Sequence, residues 1–332
     1  MPMETGIKSY IEEQSRLIEG ALYKEIPDQP PFIYGMIREF ISRGGKRIRP
    51  VLTLAVAEAF GGKREDALPY AVAIELFHNF TLIHDDIEDS SLMRRGKPTL
   101  HAQFGIPIAI NSGDALYTVV WHALLNKEIP PERLVGAFSR LLRGYALVVE
   151  GQGTELEWYH QKTFSISEED YFRMATGKTG ALMGVACEIG AYAAGASDAD
   201  CLAMREFGEK LGLSFQIKDD VLNLTADPSK YKKRIGEDIE EGKRSLITIH
   251  LLSRLPERER KRVISILLKE KKPRREISEI IALAKKHGSI EYALSVSNRL
   301  IADAKSCLHA VRDEKKRAIL ESIADCLAIR EK

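Results

Sequence analysis

Apolar residues recur along this chain at intervals of three and four, and alternating strand-like runs are scarce, so the pattern is helical from end to end. Ile7, Ile11, Leu17, Ile18 and Leu22 mark a first helix, closed by Pro27 and Pro30-Pro31. A second runs from about Phe32 to Ser42 and stops at Gly44-Gly45. Pro50 suits the first turn of a third, which ends at Gly61-Gly62. Long helical stretches follow near 65–89, 106–127, 131–160, 167–194 and 198–224. Ser165 followed by Glu168 reads as a capping box at the head of one of them. A charged, irregular stretch at 226–244 interrupts the periodicity, which then resumes to the C-terminus. No internal repeat or long linker splits the chain, so the expectation is one all-α domain over 1–332.

Composition narrows the class. The 332 residues carry 49 Lys+Arg against 48 Asp+Glu, a formal net charge of +1, with 44% hydrophobic and 29% charged residues. That mixture is globular, and its neutrality argues against a duplex-binding basic face. No stretch reaches the ~18 uncharged apolar residues of a membrane span. The N-terminal MPMETGIKSYIEEQ lacks the apolar run of a secretion signal. Cys187, Cys201, Cys307 and Cys326 are far apart and form no CxxC pair, which suits a reducing cytoplasm.

The candidate chemistry is acidic. In Leu82-Ile-His-Asp-Asp-Ile-Glu-Asp89, Asp85 and Asp89 are one helical turn apart, and with Asp86 and Glu88 four carboxylates fall within five residues. Like charges at that spacing destabilise a helix. A hard cation would offset them, and Mg²⁺ prefers carboxylate oxygens supplemented by water and phosphate. Phe215-Gln-Ile-Lys-Asp219-Asp220-Val-Leu-Asn223 repeats the pattern with Asn in the fifth place, behind the apolar Leu211, Leu213, Phe215 and Ile217. Buried carboxylates without counter-charge are costly. Two such motifs facing one cavity could hold several Mg²⁺ ions and, through them, a diphosphate.

Basic clusters alternate with the acidic ones. Gly44-Gly45-Lys46-Arg47-Ile48-Arg49-Pro50 sets three cations at a helix start, and Arg94-Arg95 follow the first motif. Gly177-Lys178-Thr179-Gly180 interrupts a helical pattern with two glycines and lacks the spacing of a Walker loop. Lys232-Lys233-Arg234 and Lys243-Arg244 follow the second motif.

In this order, GGKRIRP, His78, DDIED with RRGKPTLH, GKTG, FQIKDDVLN, GED and GKR resemble the trans-isoprenyl diphosphate synthases, the polyprenyl synthase family, over about residues 40–250. The resemblance implies the isoprenoid synthase fold, a helical bundle around a central cavity. It also implies head-to-tail condensation of isopentenyl diphosphate with an allylic diphosphate (dimethylallyl, geranyl or farnesyl). The implied catalytic set is Asp85, Asp86, Asp89, Asp219, Asp220 and Lys178, with Asp85, Asp89 and Asp219 on three Mg²⁺ ions. Arg94, Lys178, Thr179, Gln216, Lys233 and Lys243 would contact the allylic substrate. Lys46, Arg49, His78 and Arg95 would grip isopentenyl diphosphate. Asn223 replaces the family's usual last Asp and would leave a neutral oxygen ligand or a water contact. Lys232 stands where many relatives have Gly, which leaves Lys232 and Lys233 to be told apart. Family members are usually homodimers.

The same resemblance places product length beneath the first motif. Phe80 would act as a floor with Thr81 leaving some space beside it, or Phe77, better aimed on an ideal helix, would set the stop. The pattern is similar to archaeal-type enzymes that make geranylgeranyl diphosphate; a farnesyl diphosphate synthase is the alternative. Two rival readings are a non-catalytic partner subunit and an HD-type phosphohydrolase built on His78, His84 and Asp85.

Overall fold

The computed structural model describes residues 2–125, 127–226 and 235–328, with no account of the side chains of 2–5. Helices α1 (Pro2–Glu25), α2 (Pro31–Ser42), α3 (Ile48–Ala59) and α4 (Arg64–Glu88) come first. A short hairpin, β1 (Met93–Arg94) with β2 (Lys97–Pro98), leads into α5 (Leu100–Phe104), α6 (Ile106–Leu125) and α7 (Pro131–His160). Helix α8 (Glu168–Ala175) passes through a π-helical turn, Thr176–Gly180, into α9 (Ala181–Ala193), followed by α10 (Asp198–Thr225). The rest is α11 (Glu237–Glu241), α12 (Leu246–Arg254), α13 (Glu257–Leu267), α14 (Arg274–Lys286), α15 (Ser289–Ser306) and α16 (Glu314–Ala328). The all-α expectation holds.

Local chemistry sets the helix ends. Pro31 opens α2, where its missing N–H costs nothing, and Glu65 and Asp66 favour the positive end of α4. The capping box before α8 is displaced from its expected place: Ser167, not Ser165, accepts from the Asp170 backbone N–H, and Asp170 reciprocates. Ser165 is drawn aside instead, its N–H donating to Thr163 Oγ1 at 3.2 Å. The expected helix at 167–194 is broken at the π turn, and the hairpin, α5 and α11 are too short to leave a periodic signal.

The chain divides into two compact units, each drawn from three stretches: Met1–Leu142, Val185–Arg205 and Ala310–Leu320 in one, Arg143–Gly184, Glu206–His309 and Glu321–Lys332 in the other. In the first, α4 packs on α3 and α6 over a core that includes Ile37, Phe40, Leu52, Ile74 and Phe77. In the second, α12 packs on α15, α14 and α8 around Tyr171, Ile217, Leu246, Leu251 and Ala293.

Candidate active site

In the first unit, the DDIED stretch forms the C-terminal end of α4, with Asp89 as its C-cap. The helix dipole is negative there and the last turn has no basic residue, so the acids need charge from elsewhere. Arg94 on β1 supplies it: Nε donates to Asp86 Oδ1 at 2.7 Å and Nη2 to Asp85 Oδ2 at 3.2 Å. Asp86 is buried, which lifts its carboxyl above the usual range against the pull of Arg94, and its Oδ2 has no hydrogen-bond partner. Asp85 is half-buried and Asp89 exposed.

The glycine-rich turn before α3 gathers the second group of cations. Arg47 there adopts a left-handed conformation (φ 49°) and is buried rather than displayed. Its guanidinium donates to Glu75 at 2.6 Å, to Glu19 at 3.3 Å and to the Ile41 carbonyl at 3.0 Å, and Asn79 also donates to Glu75 at 3.1 Å. Breaking such a buried pair from one side costs about 3–5 kcal/mol. Arg47 therefore anchors the turn, while Lys46 is exposed and Arg49 meets His78 Nε2 at 3.3 Å. Burial, then Arg49 and Arg95, push the His78 imidazole well below its ordinary pKa, so it is neutral. Arg95 is left-handed too (φ 54°), and its guanidinium lies so close to Gly45 that a Cβ there would stand 2.9 Å from Nη2. Its Nη1 is buried without a partner, and burial, then Arg47, draw its pKa down.

In the second unit, the predicted residues are joined by hydrogen bonds. Thr179 Oγ1 donates to Gln216 Oε1 at 3.0 Å, Gln216 Nε2 to Asp220 Oδ1 at 3.0 Å, and Lys243 Nζ to the same oxygen at 2.7 Å. Tyr171 adds a bond to Asp220 Oδ2 at 3.3 Å. Lys178 pairs with buried Glu155 at 2.5 Å. Burial alone would lower the Lys243 ammonium, but Asp220, Asp238 and Glu155 outweigh it and hold it well above its usual range. Asp220 is buried, and Asp219 beside it keeps partial exposure.

Two features position these groups. The π turn lets the backbone at Lys178 touch Gly151 of α7, where a Cβ would sit 2.2 Å from Lys178 N. Arg244 lies between the rings of Tyr159 and Phe164 and donates to the carbonyls of Trp158, Thr163 and Gly242, which fixes the residue after Lys243.

Several placements differ from expectation. Asn223 is buried, and its side-chain oxygen accepts from the Asp238 N–H at 3.1 Å, which ties it to the first turn of α11. Lys232, Lys233 and Arg234 lie outside the described residues. His78 and His84 do not converge on Asp85 as an HD-type centre requires, since His78 faces Arg49 and His84 faces Asp114 at 3.5 Å. Glu155, Glu75 and Tyr171 had no sequence signal, because the charged partners that mark them, Lys178, Arg47 and Asp220, lie far along the chain. Phe77 is sealed in the core, whereas Phe80 and Thr81 keep some exposure.

Among the described residues, no three His, Cys, Asp or Glu side chains form a group that could cage a metal unaided. A cation here would complete its shell with water and substrate oxygens, as Mg²⁺ does. The partnerless Asp86 Oδ2 and the acids at a helix C-terminus suit such an ion.

An all-helical fold with aspartates at the ends of two long helices and guanidiniums gathered beside a glycine-rich turn defines a metal-assisted diphosphate enzyme. The polyprenyl synthetase family model matches residues 30–284, and the chain belongs to that family. It is 34% identical over 305 residues to the geranylgeranyl diphosphate synthase of Sulfolobus acidocaldarius, covering 91% of this chain and 92% of that one. The crystal structure of geranylgeranyl pyrophosphate synthetase from Pyrococcus horikoshii superposes with a TM-score of 0.92 at 36% identity, covering 98% and 99% of the two chains. A polyprenyl synthase from Caulobacter crescentus, complexed with calcium and isoprenyl diphosphate, gives 0.89 at 26% identity over 99% and 98%.

Proposed function

We propose that this protein is a Mg²⁺-dependent prenyltransferase that condenses isopentenyl diphosphate with dimethylallyl, geranyl and farnesyl diphosphates to all-trans geranylgeranyl diphosphate. The observation that carries the reading is the buried, partnerless Nη1 of Arg95, set among Arg47, Arg94 and Arg43 with Glu75, and near the neutral His78 that Arg49 also faces. A guanidinium so placed calls for an anion, and a diphosphate answers it bidentately.

Bound Mg²⁺, held through Asp85, Asp89 and Asp219 with three ions as the family stoichiometry, would neutralise charge on the departing diphosphate. Arg94, Lys178 and Lys243 would trade their present acid partners for oxygens of the allylic diphosphate, with Thr179 and Gln216 beside them. Arg49, Arg95 and Lys46 would hold isopentenyl diphosphate, with His78 aiming Arg49. Cleavage of the allylic C–O bond releases diphosphate and leaves an allylic cation, the isopentenyl double bond attacks it to form the new C–C bond, and the released diphosphate takes the proton. Preorganised charge does the work, so no nucleophilic side chain is required.

We read the chain as one domain, because each unit is assembled from three separated stretches. No described helix is long and apolar enough to cross a membrane, and the free thiols of Cys187, Cys201, Cys307 and Cys326 support a cytoplasmic enzyme. Exposed Ile106, Ile110 and Leu125 on α6 and Val135 and Leu142 on α7 support a homodimer. The test is purified protein with Mg²⁺, labelled isopentenyl diphosphate and each allylic primer. Elongation that chelation abolishes is expected; no elongation of any primer overturns the reading, and a fifteen-carbon end product would assign a farnesyl diphosphate synthase.

A further inference from the structure

One strongly basic surface of the second unit has no part in the site described above. Residues 257–276 span α13, the turn after it and the start of α14, and they hold nine Lys or Arg against four Glu. The whole chain, by contrast, lies within one charge of neutral. Helix α13 turns Val263, Ile266 and Leu267 into the core. Arg258, Lys261, Ser265 and Leu268 follow at intervals of three and four on its solvent-facing side, and all four are exposed. Helix α14 lies alongside, because Arg262 pairs with Glu279 at 2.9 Å and Lys269 with Glu276 at 2.6 Å. It buries Ile277, Ile280 and Ala284 and leaves Arg275 exposed.

The acids within the stretch do not neutralise it. Glu257 takes Lys261, and Glu276 takes Lys269. Among the described residues, the exposed Arg258, Lys271 and Arg275 have no ion pair. Arg258 also stands one turn from Arg262, a like-charged spacing that disfavours a helix unless an anion offsets it. Within this basic stretch Leu268 is 43% exposed. An apolar side chain among cations suits a partner that is anionic at its surface and apolar beneath, which describes a lipid bilayer. Nucleic acid fits less well. Its single strands are held largely by stacking on aromatic rings, and residues 257–276 include no Phe, Tyr, Trp or His. A phosphate backbone also gives Leu268 nothing to enter.

We infer that the α13–α14 surface docks this protein peripherally on an anionic lipid bilayer, with Arg258, Lys271 and Arg275 at the headgroup phosphates and Leu268 entering the apolar boundary beneath them. The surface stands without the prenyltransferase reading above. That reading supplies only its use, since a prenyl diphosphate is an amphiphile whose hydrocarbon chain passes more readily into a bilayer than into water.

The experiment sediments the full chain with vesicles of phosphatidylcholine alone and of phosphatidylcholine mixed with phosphatidylglycerol, and follows the affinity as salt is raised. Binding to the anionic vesicles that is absent from the neutral ones and fades with salt is expected. Arg258→Gln, Lys271→Gln and Arg275→Gln should each lower the affinity roughly fivefold, and the triple variant should lower it by on the order of a hundredfold. Leu268→Ser should lower it by a smaller factor. None of these side chains belongs to the site described above, so the triple variant should keep the wild-type thermal midpoint and condense water-soluble dimethylallyl diphosphate as wild type does. Equal binding to neutral and anionic vesicles, binding to neither, or a triple variant that binds as wild type does would overturn the inference. Single-stranded RNA that binds through the same cations while vesicles do not would overturn it too, and would make the surface a nucleic-acid site. A wild type that docks on anionic vesicles but condenses no primer would overturn the prenyltransferase reading and leave the docking in place.

Discussion

At the residue scale, Asp85 and Asp86 look alike in sequence and do different things. Asp86 is buried and holds Arg94 most closely, while Asp85 stays half-exposed with a longer bond to the same guanidinium. Asp85→Ala should leave Arg94 on Asp86 and the fold intact, yet remove charge stabilisation from the departing diphosphate. We expect kcat to fall by on the order of 10²–10⁴ with little change in thermal midpoint; turnover near wild type at saturating Mg²⁺ would count against the assignment. His78 gives a pH signature. Burial, Arg49 and Arg95 keep it neutral in the fold, whereas the unfolded chain takes up a proton near pH 6.5, so acid favours unfolding. This contribution is fully present above about pH 6.5 and declines below it, by at most about 1.4 kcal/mol per pH unit. Thermal midpoints measured from pH 7.5 to 5 should show that decline, and His78→Gln should flatten part of it. The acids were legible because their density is itself a signal. Arg47 was not, because nothing in GGKRIRP tells which cation turns inward; Glu75, Asn79 and Glu19 decide that from elsewhere in the chain.

At the element scale, apolar periodicity located the long helices to within a few residues, since each buries one continuous face. It failed where the backbone departs from the α-helical repeat. Two glycines in GKTG announced a weakened helix, but the π turn depends on α7 and α10 approaching it closely, at Gly151 and Gly212. A Cβ on Gly151 would stand 2.2 Å from Lys178 N, and backbone on both sides leaves little room to yield. Gly151→Ala should thus cost about 1–3 kcal/mol. It should also raise KM for the allylic substrate more than for isopentenyl diphosphate, because Lys178 moves with the turn. Equal changes in both would show that the turn does not position Lys178. The box at Ser167 instead of Ser165 is a smaller case: both serines have a carboxylate three residues on, and Ser165 is instead held in a local bond from its N–H to Thr163 Oγ1.

At the scale of the whole molecule, 37.2 kDa of nearly neutral protein leaves exposed large apolar side chains on α6 and α7. Val135 is 64% exposed and Leu142 49%, so replacing both by glutamate should cost the isolated chain little. Sedimentation velocity should show wild type as a dimer and Val135→Glu/Leu142→Glu shifted toward monomer; an unshifted dimer would place the interface elsewhere. Composition argued against a basic nucleic-acid face but could not reveal such a surface, because exposed and buried leucines read alike until the helices are packed.

The ion pairs of Arg94 with Asp85 and Asp86, Lys178 with Glu155, and Lys243 with Asp220 have a thermodynamic consequence. A cation already matched to an acid gives only weak attraction to the orthophosphate and nucleotides that crowd a cell. A divalent ion that claims Asp85 frees part of Arg94 for a diphosphate, and a diphosphate on Arg94 frees Asp85 for the ion. Each ligand thus raises the other's affinity by the same factor, as linkage requires. Calorimetric titration of inorganic pyrophosphate should show affinity that climbs with Mg²⁺, and that climb should be smaller in Arg94→Met, where no trade of partners remains.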